Sequence, residues 1–286
     1  MGFYDLSKEE RIQKVADIQY HLRNDLKSEQ TNYHIEYFSD EDTYIRKAAY
    51  TSIGRIYNSE ANLRHQIITS LHQLEKEGDE HIRQTVVNAA GEIGKFQFET
   101  VQSFFDTALL DPHHKVRNAV IGSLKKMGQT NPKPALAWAS TYLTHADKEV
   151  RREICHGIEL RGRTHPEDIL PLLKVLEHDP TKRVSDTLVH VLGQIAYKKG
   201  CLPKVISHLK LWTNKELVAK KGVAVVKSKK YSNCLQDKLQ RFPLFFQNGQ
   251  LRFAPKKIAL TRRSVQLYVV TLDVFPSYSM TYKILT

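Results

Sequence analysis

Thirteen histidines and three cysteines are the side chains of this 286-residue sequence best suited to bind a metal or move a proton. The pair to consider first is His156 and His190, 34 residues apart, with Cys155 beside the first. Two imidazoles can begin a zinc site, but a catalytic zinc needs three protein ligands. Cys155 falls on the apolar side of its helix, so the pair reads as surface or hydrogen-bonded histidine. His113 and His114 share a turn, with nothing nearby to complete a site. Cys155, Cys201 and Cys234 make no CxxC motif. Their odd number argues against a disulfide framework and for a reducing compartment, so a cytoplasmic location is expected. No phosphate-binding loop, dinucleotide fingerprint, HExxH, GxSxG or EF-hand sequence occurs in a usable context. The expectation is no catalytic residue, no metal and no cofactor.

Charge offers a second route to function. Lys95, Lys126, Arg152 and Arg163, joined by Arg161 and His165, can attract an anion. Helical spacing puts Asn88, His156, Asp186, His190 and Tyr197 on the same face as the first four. The plainer reading is a solvated, mixed strip in which Arg152 pairs with Asp186 of the next segment.

A repeat places these residues on one face. Segments beginning at Asp42, Asp79, Asp111, Asp147 and Asp179 share one pattern: Asp, a short gap, Ile or Val, Arg, then a helical run containing or ending in Gly. The arginines are Arg46, Arg83, Arg117 and Arg151, with Ser185 where a fifth is expected. Leu-rich amphipathic stretches separate the segments, so each unit reads as a helix, a turn opened by Asp, and a second helix. On a helical wheel the second helix buries Val116, Val120, Ile121, Leu124 and Met127, then Val150, Ile154, Cys155 and Ile158, then Val184, Leu188, Val189, Leu192 and Ile195. The Arg lies inside that apolar arc and needs a partner, because an unpaired buried charge costs about 3–5 kcal/mol. The recurring Asp is the expected partner, from its own or the neighbouring unit, and is also placed to cap the second helix. Ahead of the repeats, Ser7 and Glu10 form a capping box and Ile12, Val15, Ile18 and Leu22 an apolar stripe, as in a terminal cap.

Paired helices with Asp, Val-Arg and a later small residue resemble HEAT repeats, in particular the short bacterial kind, over about residues 30–218. The Trp and Leu-Gly series of tetratricopeptide repeats and the Thr-Pro-Leu-His of ankyrin repeats are absent. The resemblance implies an all-α solenoid of stacked antiparallel helix pairs over residues 1–220, with binding on its concave face. A fold-level likeness to HEAT-like alkylbase DNA glycosylases also exists in residues 169–195. Those enzymes rely on aromatic and acidic groups on the concave face, whereas Trp138 and Trp212 here fall on first helices.

Net charge is +12, yet it is unevenly spread. Residues 219–286 hold 13 basic and two acidic side chains, leaving 30 and 29 for residues 1–218. The basic balance is therefore no evidence that the repeat body binds phosphate backbones. The tail, 221–286, breaks the pattern inside a repeat and carries β-prone runs such as 265–275. It reads as an irregular segment, either a basic extension for an anionic partner or an end not selected to complete the stack. Mean hydropathy is −0.44 and no apolar run approaches the roughly 20 residues of a bilayer span, so no membrane partner is expected. Together these features predict a non-enzymatic scaffold holding a protein partner, with a nucleic-acid binder of the alkylbase glycosylase type as the alternative. No small-molecule substrate is indicated.

Overall fold

The computed structural model describes residues 2–214, 216–218, 244–247 and 250–253. In chain order the helices are α1 (Lys8–Ser28), α2 (Asn32–Ser39), α3 (Thr43–Ser59), α4 (Arg64–Leu74), α5 (Glu80–Gly94), α6 (Gln102–Ala108), α7 (His114–Thr130), α8 (Pro132–Tyr142), α9 (Lys148–Gly157), α10 (Glu159–Gly162), α11 (Pro166–Lys174), α12 (Lys182–Tyr197) and α13 (Cys201–Leu209). Each Asp-led segment forms the second helix of a pair, as its spacing predicts. The second helices α3, α5, α7, α9 and α12 pack side by side in order, with α1 heading their layer; α2, α4, α6, α8 and α13 lie against them, and α11 packs between α10 and α13. The capping box at the start of α1 is present: Glu10 N donates to Ser7 Oγ at 3.2 Å and Ser7 N to Glu10 Oε2 at 2.7 Å.

One continuous apolar core runs between the two helix layers, as expected when each pair can bury its face only against its neighbours. The wheel positions are buried, with three differences. Val191 takes the core place expected of Val189, Ile12 is 64% exposed and Val15 only half-buried, because only the later turns of α1 are covered. Close helix approach explains some of the recurring glycines. A Cβ built on Gly91 would lie 2.4 Å from Ser123 Oγ and 3.3 Å from Ser123 Cα on the neighbouring helix. Gly91→Val should therefore destabilise the fold by about 1–3 kcal/mol, measured by urea unfolding.

The arginine ladder has a constant part and a variable part. In each of the four repeats that carry the arginine, Nη1 donates to the two carbonyls five and six residues earlier: Arg46 to Asp40 and Glu41, Arg83 to Glu77 and Gly78, Arg117 to Asp111 and Pro112, and Arg151 to His145 and Ala146. Among the described residues, contact with the aspartate of the next repeat appears only where that turn begins Asp-Pro. Arg83 binds Asp111 at 2.8 and 3.3 Å, and Arg151 binds Asp179 at 2.6 and 3.3 Å. The inserted proline moves the helix start, so those aspartates fold the turn, accepting from His113 N and Thr181 N, and turn toward the preceding repeat. Without a proline, Asp42, Asp79 and Asp147 sit at the N-cap and accept from Tyr44 N, His81 N and Glu149 N. Arg46 adds Thr43 Oγ1, and Arg117 adds Glu153 at 3.3 Å. Of the two partners the sequence left open, the neighbouring unit's aspartate serves Arg83 and Arg151, so the ladder alternates. Arg183 does not extend it past Asp179 but reaches back to Glu149 at 3.2 Å.

Beyond the solenoid, the tail contains an antiparallel pair, β1 (Leu244–Gln247) and β2 (Gln250–Phe253), with Leu244 opposite Phe253 and Gln247 opposite Gln250. The β-prone run 265–275 lies outside the described residues. Among the described residues no helix is long and apolar enough to cross a membrane.

Candidate binding site on the second-helix face

Glu159 opens α10 just past Ile158, the residue that separates it from α9. Its side chain is 1% exposed, and three successive second-helix units converge on it. Its Oε2 lies 3.1 Å from His156 Nε2, 3.3 Å from Lys125 Nζ of α7 and 3.7 Å from His190 Nε2 of α12. Its Oε1 accepts from Arg163, which also donates to Gln194 of α12 at 3.0 Å. Burial opposes ionisation of this carboxyl. Hydrogen bonds from His156 and Arg163 and the charges of Lys125 and Arg163 outweigh burial and pull its pKa down to about 2.

A second buried carboxylate, Glu153, is shared by Arg117 at 3.3 Å and Arg152 at 3.1 Å. Burial lifts its pKa above the usual carboxylate range despite Arg152 and Arg117. A third, Glu92 on α5, accepts from Lys126 at 2.8 Å and from Lys95. Burial works against its ionisation too, and is outweighed by the hydrogen bonds from Lys126 and Lys95, which hold its pKa below the usual range.

Each cation singled out from sequence is therefore engaged: Lys95 and Lys126 by Glu92, Arg152 by Glu149 and Glu153, and Arg163 by Glu159. Arg152 binds Glu149 and Glu153 on its own helix, Asp186 accepts from Lys182 at 2.7 Å, and Arg183 reaches Glu149 between repeats. Arg152, His156, Arg183, Asp186, Thr187 and His190 line an open cleft of about 340 Å³ between α9 and α12. The two imidazoles meet there edge to face, with ring centroids 5.7 Å apart. Tyr197 is 45% exposed at the end of α12, and Asn88 donates to Gln84 O at 3.0 Å one helix pair away from the cluster. Arg161 and His165 do not join: Arg161 binds Asp168 and His165 contacts Thr164. Glu153 and Glu159 were missed from sequence because an acid within a helical run reads as solvated. The available signal was spacing, since Glu159 stands three residues after His156 and four before Arg163.

Trp138 and Trp212 do not reach this face. Trp138 on α8 is buried and donates to Asp106 at 2.7 Å. Trp212 is buried just past the end of α13 instead of within a first helix.

The fold and its face define a HEAT-like helical solenoid. Residues 32–125 match the family described as HEAT repeats. Among solved structures, AlkD2 from Streptococcus mutans is similar with a TM-score of 0.52 at 16% identity, over 72% of this chain and 98% of that one. The smu.31 protein of Streptococcus mutans UA159 has a TM-score of 0.49 at 15% identity, over 76% and 100% of the two chains. A MAST/Orbit N-terminal domain has a TM-score of 0.49 at 16% identity, over 70% and 97%. No curated protein sequence matches the chain. At 16% identity the likeness to AlkD2 is one of fold, an all-helical stack of paired helices.

Proposed function

We propose that the chain is a non-enzymatic scaffold that holds a protein partner on the concave, second-helix face, centred on the cleft between α9 and α12. The observation that carries this reading is the pairing of the cations on that face with Glu92, Glu149, Glu153 and Glu159. A strip so nearly balanced offers patterned charge and hydrogen bonding, which suits a mixed polar protein surface better than a phosphate backbone. Asn88, Asp186, His190 and Tyr197 widen the contact beside the paired groups. The buried thiols of Cys155 and Cys201 support a reducing, cytoplasmic setting.

The likeness to AlkD2 favours a second reading, a DNA-binding solenoid of the alkylbase glycosylase type. It requires duplex binding that weakens with salt at a slope near −0.9 per phosphate contact. A photo-crosslinker placed at Thr187 separates the two. The scaffold reading expects a crosslinked protein partner that disappears when Tyr197 and His190 are both changed to alanine, and no salt-steep binding of duplex DNA. Salt-steep duplex binding lost in Lys126→Glu/Arg152→Glu would replace it with the second reading, and release of a methylated base would establish the enzyme.

A further inference from the structure

From the geometry around Glu159 we infer that His156, Glu159 and His190 form a site for a divalent transition metal, zinc by its donor set, in which the metal takes the place of the Lys125 ammonium. One ligand atom from each of these residues lies within 4.8 Å of the other two. A four-coordinate zinc with bonds of about 2.0–2.2 Å sets its donors about 3.3 Å apart. The separations from Glu159 Oε2 are 3.1 Å to His156 Nε2 and 3.7 Å to His190 Nε2. The adjustment needed falls on His190, whose side chain is half exposed.

Three features prepare the donors. Lys125 Nζ sits 3.0 Å from His156 Nε2 and 3.3 Å from Glu159 Oε2, so a tethered cation already occupies the angle between two of them. His156 Nε2 faces both the ammonium and the Glu159 carboxylate, so loss of its proton, if it carries one toward Glu159, leaves a lone pair aimed at the same point, as a metal needs. Arg163, anchored by Gln194, holds Oε1 and leaves Oε2 turned toward the imidazoles, the kind of outer support that orients metal-binding carboxylates. Two His and one Glu give three protein ligands, and His156 and His190 both line the cleft, where water or a partner's group completes the set. The same ammonium explains the guarded character of the site. Lys125 must swing out, and its side chain is 26% exposed, with solvent within reach.

The test is titration of the full chain with Zn2+ in a competing chelator, and with Co2+ followed by the visible absorption of tetrahedral cobalt. The expected result is one site, weakened about tenfold or more by His190→Ala and by Glu159→Gln, and tightened about tenfold by Lys125→Met. His113→Ala, on a separate histidine cluster, should leave it unchanged. Thermal unfolding checks that each variant is folded, and the half-exposed His190 keeps the test open if Glu159→Gln is not. Binding that survives His190→Ala, or is lost in His113→Ala, would overturn the site. Lys125→Met binding no tighter than the parent would overturn the displacement.

Discussion

Arg151→Ala should lower the stability of the fold by about 3–5 kcal/mol, read as a fall in the urea midpoint. The guanidinium binds Asp179 at 2.6 and 3.3 Å, the carbonyls of His145 and Ala146, and Thr181 Oγ1 at 3.4 Å, and the Asp179 side chain is only 4% exposed. Removing the arginine strands that carboxylate. Its pKa is held below the usual range: burial opposes ionisation, and the hydrogen bonds from Arg151 and Thr181 N more than offset it. Arg46→Ala should cost less, about 1–2 kcal/mol, because Arg46 clamps its own turn and Thr43 without reaching an aspartate of the next repeat. A cost at Arg46 equal to that at Arg151 would mean that the cross-repeat contact adds nothing.

Glu159→Gln should be the other large loss, about 3 kcal/mol at neutral pH, and it should remove a pH dependence. The folded pKa of about 2 lies below the ordinary glutamate value of 4.5. A depressed carboxyl adds stability that is complete above the unfolded value and disappears as pH falls through the folded one, so the window is about pH 5 to 2. A difference of this size corresponds to about 3 kcal/mol at 1.36 kcal/mol per unit. Glu153 works in the opposite sense. Its raised pKa means that ionisation at neutral pH costs stability, which returns as pH falls through the folded value. Unfolding of the parent and of Glu159→Gln from pH 7 to 2 should give curves that converge at the acid end. A constant gap between them would contradict the assignment.

The repeat, the buried faces and the capping box were legible because each follows from helical spacing and one-turn chemistry. Which arginine reaches its neighbour was legible only in part. The deciding residue is the proline after Asp111 or Asp179, which shifts the helix start and turns a capping aspartate into a partner for the preceding repeat. The centre of the candidate site was less visible still. His156 and His190 were found by their spacing, but the carboxylate between them belongs to Glu159, at the start of α10, which is reached by Lys125 of α7 and His190 of α12, both distant in sequence. Burial of an acid depends on neighbours that a single helix period does not report.

The account rests on the claim that guanidinium–aspartate contacts at the Asp-Pro turns lock successive helix pairs and so build the face on which Glu159 lies. A double-mutant cycle at Arg151 and Asp179, each changed to alanine singly and together and followed by urea unfolding, measures that contact directly. The account predicts a coupling of about 1.5–3 kcal/mol. Single-variant costs that add to within about 0.5 kcal/mol would contradict it.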